Sequence, residues 1–361
     1  MKKIICYIDI MDRTGAQRVM KNIVTYLCDK NYNVILVNDF DIGRKDSFDI
    51  SNKVKRVFLR KNNCGNVFIK NVERIIRLRK LVKREKPDII LSFLGRPNVR
   101  MLIATLGVNV KKVVSVRNDP NYEYGKGKLN KALINLLFEQ ADGCVFQTDD
   151  AKNYFNKKIQ YNSKIILNPV DPIFFESKRS ENCKGIVTFG RLDKQKNHRL
   201  LIRAYANLLK KDKELEELYI YGDGELRDEL EKIIERKNLK NKVHLLGNVK
   251  DVAKILSSSK LFVLSSDFEG LPNVLMEAMA CGTPVISTDC PCGGPRMLIT
   301  NENEGILVGC NDSEGLEVAI KKLIYDKSAL EEMSVATRNR AKSFESLKIL
   351  KEWEEYLNLI G

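Results

Sequence analysis

Two acidic residues on either side of a helix start mark the first place where this sequence could do chemistry. Glu269 and Glu277 have seven residues between them, inside the stretch from Ser265 to Pro284. Glu269 would lie in a loop, and Glu277 about a turn and a half inside the helix that follows. Carboxylates accept hydrogen bonds from hydroxyl groups, so both residues could hold the vicinal diol of a ribose or a hexose. Glu277 could equally be an acidic residue that stabilises the early part of a helix.

The helix start between these acids has the features of a phosphate site. Pro272 fits the first helical position and Gly282 the residue just past the last one, which predicts a helix of about ten residues. Its N-cap would be Leu271, which has no side-chain oxygen to bind the first amides. Those amides, with the positive end of the helix dipole and the adjacent Gly270 backbone, would bind a phosphate. They belong to Asn273, Val274 and Leu275.

Two cations and one glycine add to this pattern. Arg191 would emerge at the end of a strand, and Lys196 follows it after a short polar turn. A planar guanidinium and a mobile ammonium together suit a diphosphate. Near the start of the chain, Gly15 closes the turn after the first strand and opens a helix. A glycine there, in the run from Thr14 to Arg18, would let the backbone approach an anion closely.

The elements that must position these residues are strands alternating with helices. This alternation predicts an α/β protein with parallel sheets covered on both faces. Asn168-Pro169-Val170-Asp171-Pro172 follows a last short strand and is the predicted boundary between two doubly wound halves that face each other across a cleft. The twelve predicted strands are Ile4–Ile8, Val34–Val37, Val54–Leu59, Asp88–Phe93, Val113–Arg117, Gly143–Gln147, Gly185–Phe189, Leu218–Tyr221, Val243–Leu246, Leu261–Leu264, Pro284–Ser287 and Ile306–Val308.

Length and composition support this organisation. A chain of 361 residues is long enough for two cores, and 43% hydrophobic residues argue against disorder. The sequence opens without the pattern of a signal peptide, and no apolar run approaches the ~20 residues needed to span a bilayer. Nine cysteines without a disulfide pattern suit a reducing compartment, and we expect no metal site because only two histidines occur. We therefore expect a cytoplasmic protein.

The positive charge is concentrated in the N-terminal half. Residues 1–170 carry a net charge of +17 and the remainder −2, and the segment from Lys53 to Lys86 alone carries +11. This segment predicts a basic amphipathic helix, either simply solvated or in contact with anionic lipid headgroups or a polyanionic substrate. No nucleic-acid-binding module is evident, so we expect no nucleic-acid partner. The predicted apolar positions are Val72, Ile75, Ile76 and Val82, and the basic ones are Arg74, Arg77, Lys80, Lys83 and Arg84.

Taken together, these motifs resemble the family 4 retaining glycosyltransferases of the GT-B fold, and they occur in the family's order over nearly the whole chain. The stretches 114–120 and 290–296 further resemble bacterial members that build capsule, O-antigen or lipid-linked oligosaccharides. Two features depart from the family: the first glycine motif has one glycine where two are usual, and the first domain has no histidine, so Arg117, Asn118 and Asp119 are the replacements to test. The residues that carry the resemblance are Gly15, Arg18, Gly190, Arg191, Lys196, Asn197, Glu269, Glu277 and the run from Gly282 to Ile286.

The resemblance implies two Rossmann-like domains with separate tasks. Residues 1–170 would bind the acceptor, residues 171–343 the nucleotide sugar, and the helix within residues 344–361 would cross back to the first domain. Arg191 and Lys196 would hold the diphosphate, Glu277 the ribose, and Glu269 a hydroxyl of the transferred sugar. The amides from Gly270 to Leu275 would surround the sugar and phosphates, and Gly15 would approach the diphosphate from the other domain.

The function implied is transfer of a hexose-type sugar, with retention, from a UDP-sugar to a polyprenyl-diphosphate-linked glycan. Arg191, Lys196 and Glu269 would be the catalytic residues, without a metal or other cofactor. The enzyme would be peripheral at the inner face of the cell membrane, held by its basic N-terminal domain. Asp39-Phe40-Asp41 matches the metal motif of other glycosyltransferases, but it follows a strand in the wrong domain. The alternatives are a GT-B nucleotide-sugar epimerase, which would need no acceptor, and a noncatalytic nucleic-acid-binding protein.

Overall fold

The computed structural model describes residues 2–12, 15–41, 50–60 and 66–361. The chain divides into two units. The N-unit consists of Met1–Pro169 together with Leu347–Gly361, and the C-unit is Val170–Ser346. Each unit is built around one parallel sheet with helices on its faces, as the alternation of elements predicts.

The N-unit sheet has seven parallel strands among its described residues, in the order β3-β2-β1-β4-β5-β6-β7. The central strand β1 is fully buried from Ile4 to Tyr7, because it pairs with β2 on one side and β4 on the other. The three-residue strand β7 is the last of them and lies just before the boundary at Pro169. The strands are β1 (Lys3–Tyr7), β2 (Asn33–Phe40), β3 (Lys55–Arg60), β4 (Ile89–Phe93), β5 (Lys111–Ser115), β6 (Gly143–Phe146) and β7 (Ser163–Ile165).

The helices of this unit pack on both sides of the sheet. They are α1 (Gly15–Asp29), α2 (Val67–Glu85), α3 (Gly95–Ala104), α4 (Pro120–Tyr124), α5 (Lys128–Phe138), α6 (Asp149–Asn153) and α7 (Lys157–Tyr161).

The basic helix α2 exists, but two of its four predicted apolar positions are wrong. Val72 and Ile76 are 41% and 48% exposed. Val82 is buried as predicted, and Arg74, Leu78 and Leu81 complete the buried face. Arg74 is drawn inward because its guanidinium lies 3.5 Å from Asp39 and over the ring of Phe40.

The C-unit sheet has six parallel strands in the order β10-β9-β8-β11-β12-β13. Its core is continuous with the faces of the helices that cover it, and Ile186, Leu218 and Leu261 from three adjacent strands are completely buried. The strands are β8 (Lys184–Phe189), β9 (Leu218–Tyr221), β10 (Val243–Gly247), β11 (Ser259–Leu264), β12 (Val285–Thr288) and β13 (Ile306–Val308).

The helices of this unit include one 3-10 turn, Lys342–Phe344. They are α8 (Pro172–Glu176), α9 (His198–Lys211), α10 (Arg227–Arg236), α11 (Val252–Ser258), α12 (Asn273–Ala280), α13 (Gly294–Leu298), α14 (Ser313–Ile324) and α15 (Lys327–Ala341).

The last helix, α16 (Ser346–Ile360), packs on the N-unit. The ring centroid of Trp353 lies 5.5 Å from that of Phe93 at the end of β4. About one turn further along the helix, the Tyr356 hydroxyl donates to the backbone carbonyl of Cys144 at 3.2 Å. Trp353 is 1% exposed, so this helix contributes a large apolar side chain to the N-unit core.

Candidate active site

The predicted site residues of the C-unit lie at the point where the order of its strands reverses. Strands β8 and β11 are neighbours in the sheet, although two strands, β9 and β10, lie between them in the chain. The loop after β8 carries Arg191 and Lys196, and the loop after β11 carries Glu269. Open parallel sheets bind ligands beyond the carboxyl ends of their strands at such a point. The topology therefore places both predicted loops where a ligand is expected.

Lys196 and Glu269 meet across this point. Nζ of Lys196 lies 2.5 Å from Oε1 of Glu269, and the two side chains are 15% and 8% exposed. Two residues that the sequence reasoning missed hold the same carboxylate: the Ser266 hydroxyl donates to Oε1 at 2.7 Å, and Nε2 of Gln195 donates to Oε2 at 3.4 Å. The position of Ser266 directly after a buried strand was the available signal. The carboxylate is thus fixed in direction before any ligand arrives.

Arg191 has a different environment from Lys196. Its side chain is 67% exposed, and Nη2 lies 3.1 Å from Oδ2 of Asp193 and 3.3 Å from Oε1 of Gln195. Both partners belong to its own loop. An exposed guanidinium with weakly bound partners can turn toward an incoming phosphate at little cost.

His198 fixes the backbone of the Arg191 loop. It is 2% exposed, and its Nε2 donates to the carbonyl oxygen of Arg191 at 3.2 Å. Burial lowers the pKa of this imidazole to about 4, so the ring is neutral at physiological pH. Sequence reasoning considered His198 only as a metal ligand. Its place directly after the helix cap Asn197 was the signal that it faces back into the loop.

The start of α12 differs from the prediction in three respects. The helix has eight residues, from Asn273 to Ala280, and its N-cap is Pro272 where Leu271 was expected. The reason is the extended backbone of Pro272, whose carbonyl oxygen accepts hydrogen bonds from the amides of Leu275 at 3.1 Å and Met276 at 3.3 Å. The N–H of Leu275 is therefore already bonded, and its predicted role as a phosphate donor is wrong.

The other predicted residues of this segment divide by exposure. Gly270 and Leu271 are buried, whereas Asn273 and Val274 in the first turn of α12 are partly exposed. The N-cap residue Pro272 makes no capping hydrogen bond through its side chain. Glu277 lies in the second turn and is 6% exposed. Its assignment to a ribose stays a prediction.

The loop after β12 binds the backbone of Glu269. The Glu269 amide donates to the carbonyl of Pro291 at 2.7 Å, and the Cys292 amide donates to the carbonyl of Glu269 at 2.9 Å. The two loops touch most closely at Gly294, where a Cβ atom would lie 1.8 Å from the carbonyl oxygen of Gly270. Only glycine fits at that position. The consecutive Gly293 and Gly294 were the signal for this close approach.

The Gly222–Gly224 turn supports the loop that carries Arg191. A Cβ atom on Gly222 would lie 1.9 Å from the carbonyl oxygen of Gly190. The amide of Leu192 also donates to the carbonyl of Asp223 at 3.0 Å. These glycines therefore serve the packing of two adjacent strand ends.

Known proteins match both halves of the chain. Residues 13–174 match the family described as "Glycosyltransferase Family 4", and residues 170–342 match "Glycosyl transferases group 1". A Campylobacter jejuni protein named GalNAc-alpha-(1->4)-GalNAc-alpha-(1->3)-diNAcBac-PP-undecaprenol alpha-1,4-N-acetyl-D-galactosaminyltransferase is 31% identical, over 98% of this chain and 97% of its own. The chain belongs to glycosyltransferase family 4.

Two further comparisons agree with this assignment. Another Campylobacter jejuni protein, named N-acetylgalactosamine-N,N'-diacetylbacillosaminyl-diphospho-undecaprenol 4-alpha-N-acetylgalactosaminyltransferase, is 32% identical to the transferase, over 99% of this chain and 100% of its own. Among solved structures, Anabaena HepE in complex with UDP and glucose superposes with a TM-score of 0.82 at 18% identity, over 99% of this chain and 100% of that one. The likeness confirms the predicted GT-B fold.

The N-unit of the transferase has its own switch point, between β1 and β4. Gly15 begins α1 after β1, as predicted, while Thr14 lies outside the described residues. Asp39 is not available to a metal here, because it accepts a hydrogen bond from the Tyr7 hydroxyl at 2.6 Å and pairs with Arg100. Within the described residues, no helix has both the length and the apolar character needed to cross a membrane.

Arg117 is buried in the N-unit, and its role in place of the family histidine stays a prediction. It is 7% exposed, its guanidinium lies 4.7 Å from the ring centroid of Phe93, and it donates to Oδ1 of Asn168. Burial lowers its pKa to about 9. Asp119 is taken up as the N-cap of α4. Of the three predicted replacements for the family histidine, Asn118 is the one that is neither deeply buried nor a helix cap.

Proposed function

We propose that this transferase moves a hexose-type sugar from a UDP donor to a polyprenyl-diphosphate-linked glycan, with retention of the anomeric configuration. The C-unit binds the donor, and the N-unit binds the acceptor. The names of the two Campylobacter relatives, which specify undecaprenol-linked diphosphate acceptors and α linkages, support the acceptor and the linkage. The UDP and glucose bound to the similarly folded Anabaena protein support the donor.

The observation that carries the proposal is the Lys196–Glu269 pair beside Arg191 and the start of α12. A departing diphosphate needs cations and amide dipoles aimed at its oxygens while an oxocarbenium-like centre forms. Lys196 can exchange its bond to Glu269 for a bond to phosphate. The freed Glu269 oxygen then accepts a hydrogen bond from a sugar hydroxyl, while Ser266 keeps the carboxylate in place. The departing phosphate accepts the acceptor proton on the same face.

Membrane contact by the N-unit belongs to the same proposal. Helix α2 carries seven basic and two acidic residues, and it exposes apolar side chains in its first half. Phe68 is 75% exposed and Ile69 is 64% exposed. Exposed apolar groups next to basic residues are the pattern of helices that lie in the interface of an anionic membrane. These features support the part of the proposal that puts the enzyme at the inner face of the cell membrane, beside a lipid-linked acceptor.

Donor binding tests the site directly. We expect UDP or one of its sugars to raise the midpoint of thermal unfolding, because a ligand that binds only the native state stabilises it. UDP-glucose, UDP-GlcNAc, UDP-GalNAc and GDP-mannose would be compared. Lys196→Ala should abolish the shift and Lys194→Ala should retain it, since Lys194 is exposed on the same loop. Full stabilisation of the Lys196→Ala protein would reject the assignment of the site.

Transfer itself needs an acceptor. A glycosylated polyprenyl diphosphate in detergent would be incubated with the stabilising donor, and the product linkage read by nuclear magnetic resonance. We expect an α-linked product from an α-linked donor. A reaction that changes the donor sugar with no acceptor present would show an epimerase.

A further inference from the structure

Gln195 lies between a guanidinium and a carboxylate of the candidate site. Its Oε1 accepts a hydrogen bond from Nη2 of Arg191 at 3.3 Å. Its Nε2 donates to the carbonyl oxygen of Phe268 at 2.9 Å and to Oε2 of Glu269 at 3.4 Å. An amide nitrogen carries two hydrogens, so both of these bonds can form at once. One neutral side chain therefore contacts both the cation and the acid.

The neighbours of Gln195 determine which end of its amide points where. The guanidinium of Arg191 can only donate, whereas the carbonyl oxygen of Phe268 and the ionised carboxylate of Glu269 can only accept. A flipped amide would place its NH2 group against the guanidinium and its oxygen against two other oxygens. The hydrogen-bond network therefore assigns the orientation in which Gln195 donates to Glu269.

The two oxygens of the Glu269 carboxylate have different partners. Oε1 accepts from the Ser266 hydroxyl and pairs with Lys196. Within the described part of the chain, the donor to Oε2 is Gln195 alone. If Lys196 moves to a phosphate, Ser266 and Gln195 are the donors that stay on the carboxylate. One bond to each oxygen prevents the carboxylate from rotating, so the Gln195 bond sets the direction in which Oε1 faces a ligand.

Other bonds already join the two loops that Gln195 connects. Its own backbone carbonyl accepts from the amide of Asp267 at 2.8 Å. The Ser265 hydroxyl donates to the carbonyl of Lys196 at 3.0 Å, and Nδ2 of Asn197 donates to Oδ1 of Asp267 at 2.7 Å. All three bonds remain when the side chain of Gln195 is replaced. The specific contribution of this side chain is therefore the orientation of its charged neighbours.

We propose that Gln195 is a positioning residue, which directs Glu269 toward the transferred sugar and leaves Arg191 free to bind the diphosphate. The inference rests on the proposed function, because it takes these two ligand contacts from it. A neutral amide suits both tasks. A carboxylate in its place would hold Arg191 as an ion pair, together with Asp193, and would repel Glu269.

Calorimetric titration with UDP and with a UDP-sugar separates the two tasks. The sugar donor is whichever of UDP-glucose, UDP-GlcNAc and UDP-GalNAc the wild type binds most tightly. Gln195→Met has a similar length but forms no hydrogen bond to either charged group. We expect its UDP affinity to stay within about threefold of the wild type and its UDP-sugar affinity to fall about tenfold, because a bond to the charged Glu269 is lost.

Gln195→Glu should behave differently from Gln195→Met. Its affinity for UDP itself should fall about tenfold or more, because Arg191 is held by a charge-assisted bond and no longer turns to the phosphate. Lys194→Met is the matched control, since Lys194 is exposed on the same loop. Both of its affinities should stay within about twofold of the wild type.

Three results would overturn the proposal. Equal losses of UDP and UDP-sugar affinity in Gln195→Met would show general damage to the loop. Unchanged UDP-sugar affinity in that variant, or unchanged UDP affinity in Gln195→Glu, would show that the side chain orients neither neighbour. All three leave donor binding by the wild type intact, so they do not affect the proposed function. A wild type that binds none of the three UDP-sugars would instead reject the donor site, and this inference with it.

Discussion

Lys196 and Glu269 form an ion pair of 2.5 Å between two loops that are separated by 72 residues of chain and joined by the pairing of β8 with β11. Both side chains are largely buried, and the Glu269 carboxylate also accepts hydrogen bonds from Ser266 and Gln195. The pair joins the two loops, and in the proposed function its lysine supplies the positive charge for the diphosphate of the donor. Replacing Lys196 and replacing Glu269 should therefore have different effects on stability, donor affinity and transfer.

Replacing Lys196 by alanine should affect both stability and binding. It leaves a buried carboxylate without its cation, which costs up to about 3 kcal/mol. Loss of one fixed cation should also reduce donor affinity at least tenfold. Glu269→Gln keeps the shape and the Ser266 contact, so we expect near-normal UDP binding with transfer slowed about 100-fold. Urea unfolding, UDP titration and single-turnover transfer measure the three quantities. Loss of UDP binding in Glu269→Gln would contradict separate roles for the two residues.

Gly294→Ala should disturb the loop that contains Gly270. The added methyl group would lie 1.8 Å from the Gly270 carbonyl oxygen, so one of the two loops must move. Overpacking a close-packed site typically lowers the free energy of unfolding by ~1–3 kcal/mol. Donor affinity should also fall, because the Gly270 loop would be displaced. Gly309→Ala is the control, because its Cβ atom would make an ordinary contact of 3.4 Å with Asp312. Equal donor affinity in both variants would show that the Gly270 loop does not touch the donor.

Glu123 should make stability depend on pH. Burial, with smaller effects from the charges of Asp119 and Asp9, raises the pKa of its carboxyl to about 7, against an ordinary 4.5. Between these values the folded protein binds more protons than the unfolded chain, so the free energy of unfolding falls as pH rises from about 4.5 to 7 and is level above 7. The fall attributable to this group is ~3 kcal/mol.

Glu123→Gln removes this contribution, so it should match the wild type near pH 4.5 and exceed its stability at pH 7.5. Urea denaturation at both pH values measures the difference. The Glu139→Gln variant is a control, because Glu139 is a carboxylate whose pKa is lowered by Lys158 and Asn156. Parallel pH profiles for the wild type and Glu123→Gln would contradict the raised pKa.

Binding to anionic vesicles should require both charge and apolar groups on α2. Reversal of Lys80, Lys83 and Arg84 to glutamate should weaken binding by more than tenfold at low salt, because each basic residue near such a surface contributes about 1 kcal/mol. The same number of reversals at Lys232, Arg236 and Lys237 of the C-unit, which are also exposed, should have a small effect. Sedimentation with vesicles that contain phosphatidylserine, an anionic lipid of such membranes, measures both. Unchanged binding after reversal on α2 would remove this helix from the membrane contact.

Sequence reasoning located twelve of the thirteen described strands and the two loops of the candidate site, because both depend on local pattern. Strand composition and the Pro272 and Gly282 punctuation are local signals. The N-cap of α12 was misplaced by one residue, since the pattern could not show that the Pro272 carbonyl would accept from two amides. Val72 and Ile76 of α2 were wrongly predicted to be buried, because Arg74 lies on the buried face beside its partner Asp39 on β2. The spacing of apolar residues along a helix does not show such long-range ion pairs.

The partners of Glu269 were missed for the same reason. Ser266 and Gln195 have ordinary polar side chains, and only the adjacency of β8 and β11 brings them to one carboxylate. The absence of histidine from residues 1–170 directed attention to Arg117, which is buried with its guanidinium over the ring of Phe93, and its role in place of a histidine stays a prediction.

The position of α16 makes the only tryptophan of the chain a local reporter. Trp353 lies against Phe93 inside the N-unit, although the C-unit separates them in the sequence. Its fluorescence emission will therefore follow the melting of the N-unit alone, while circular dichroism follows both units. A difference between the two unfolding curves would reveal how independently the two halves lose their structure, without any added label.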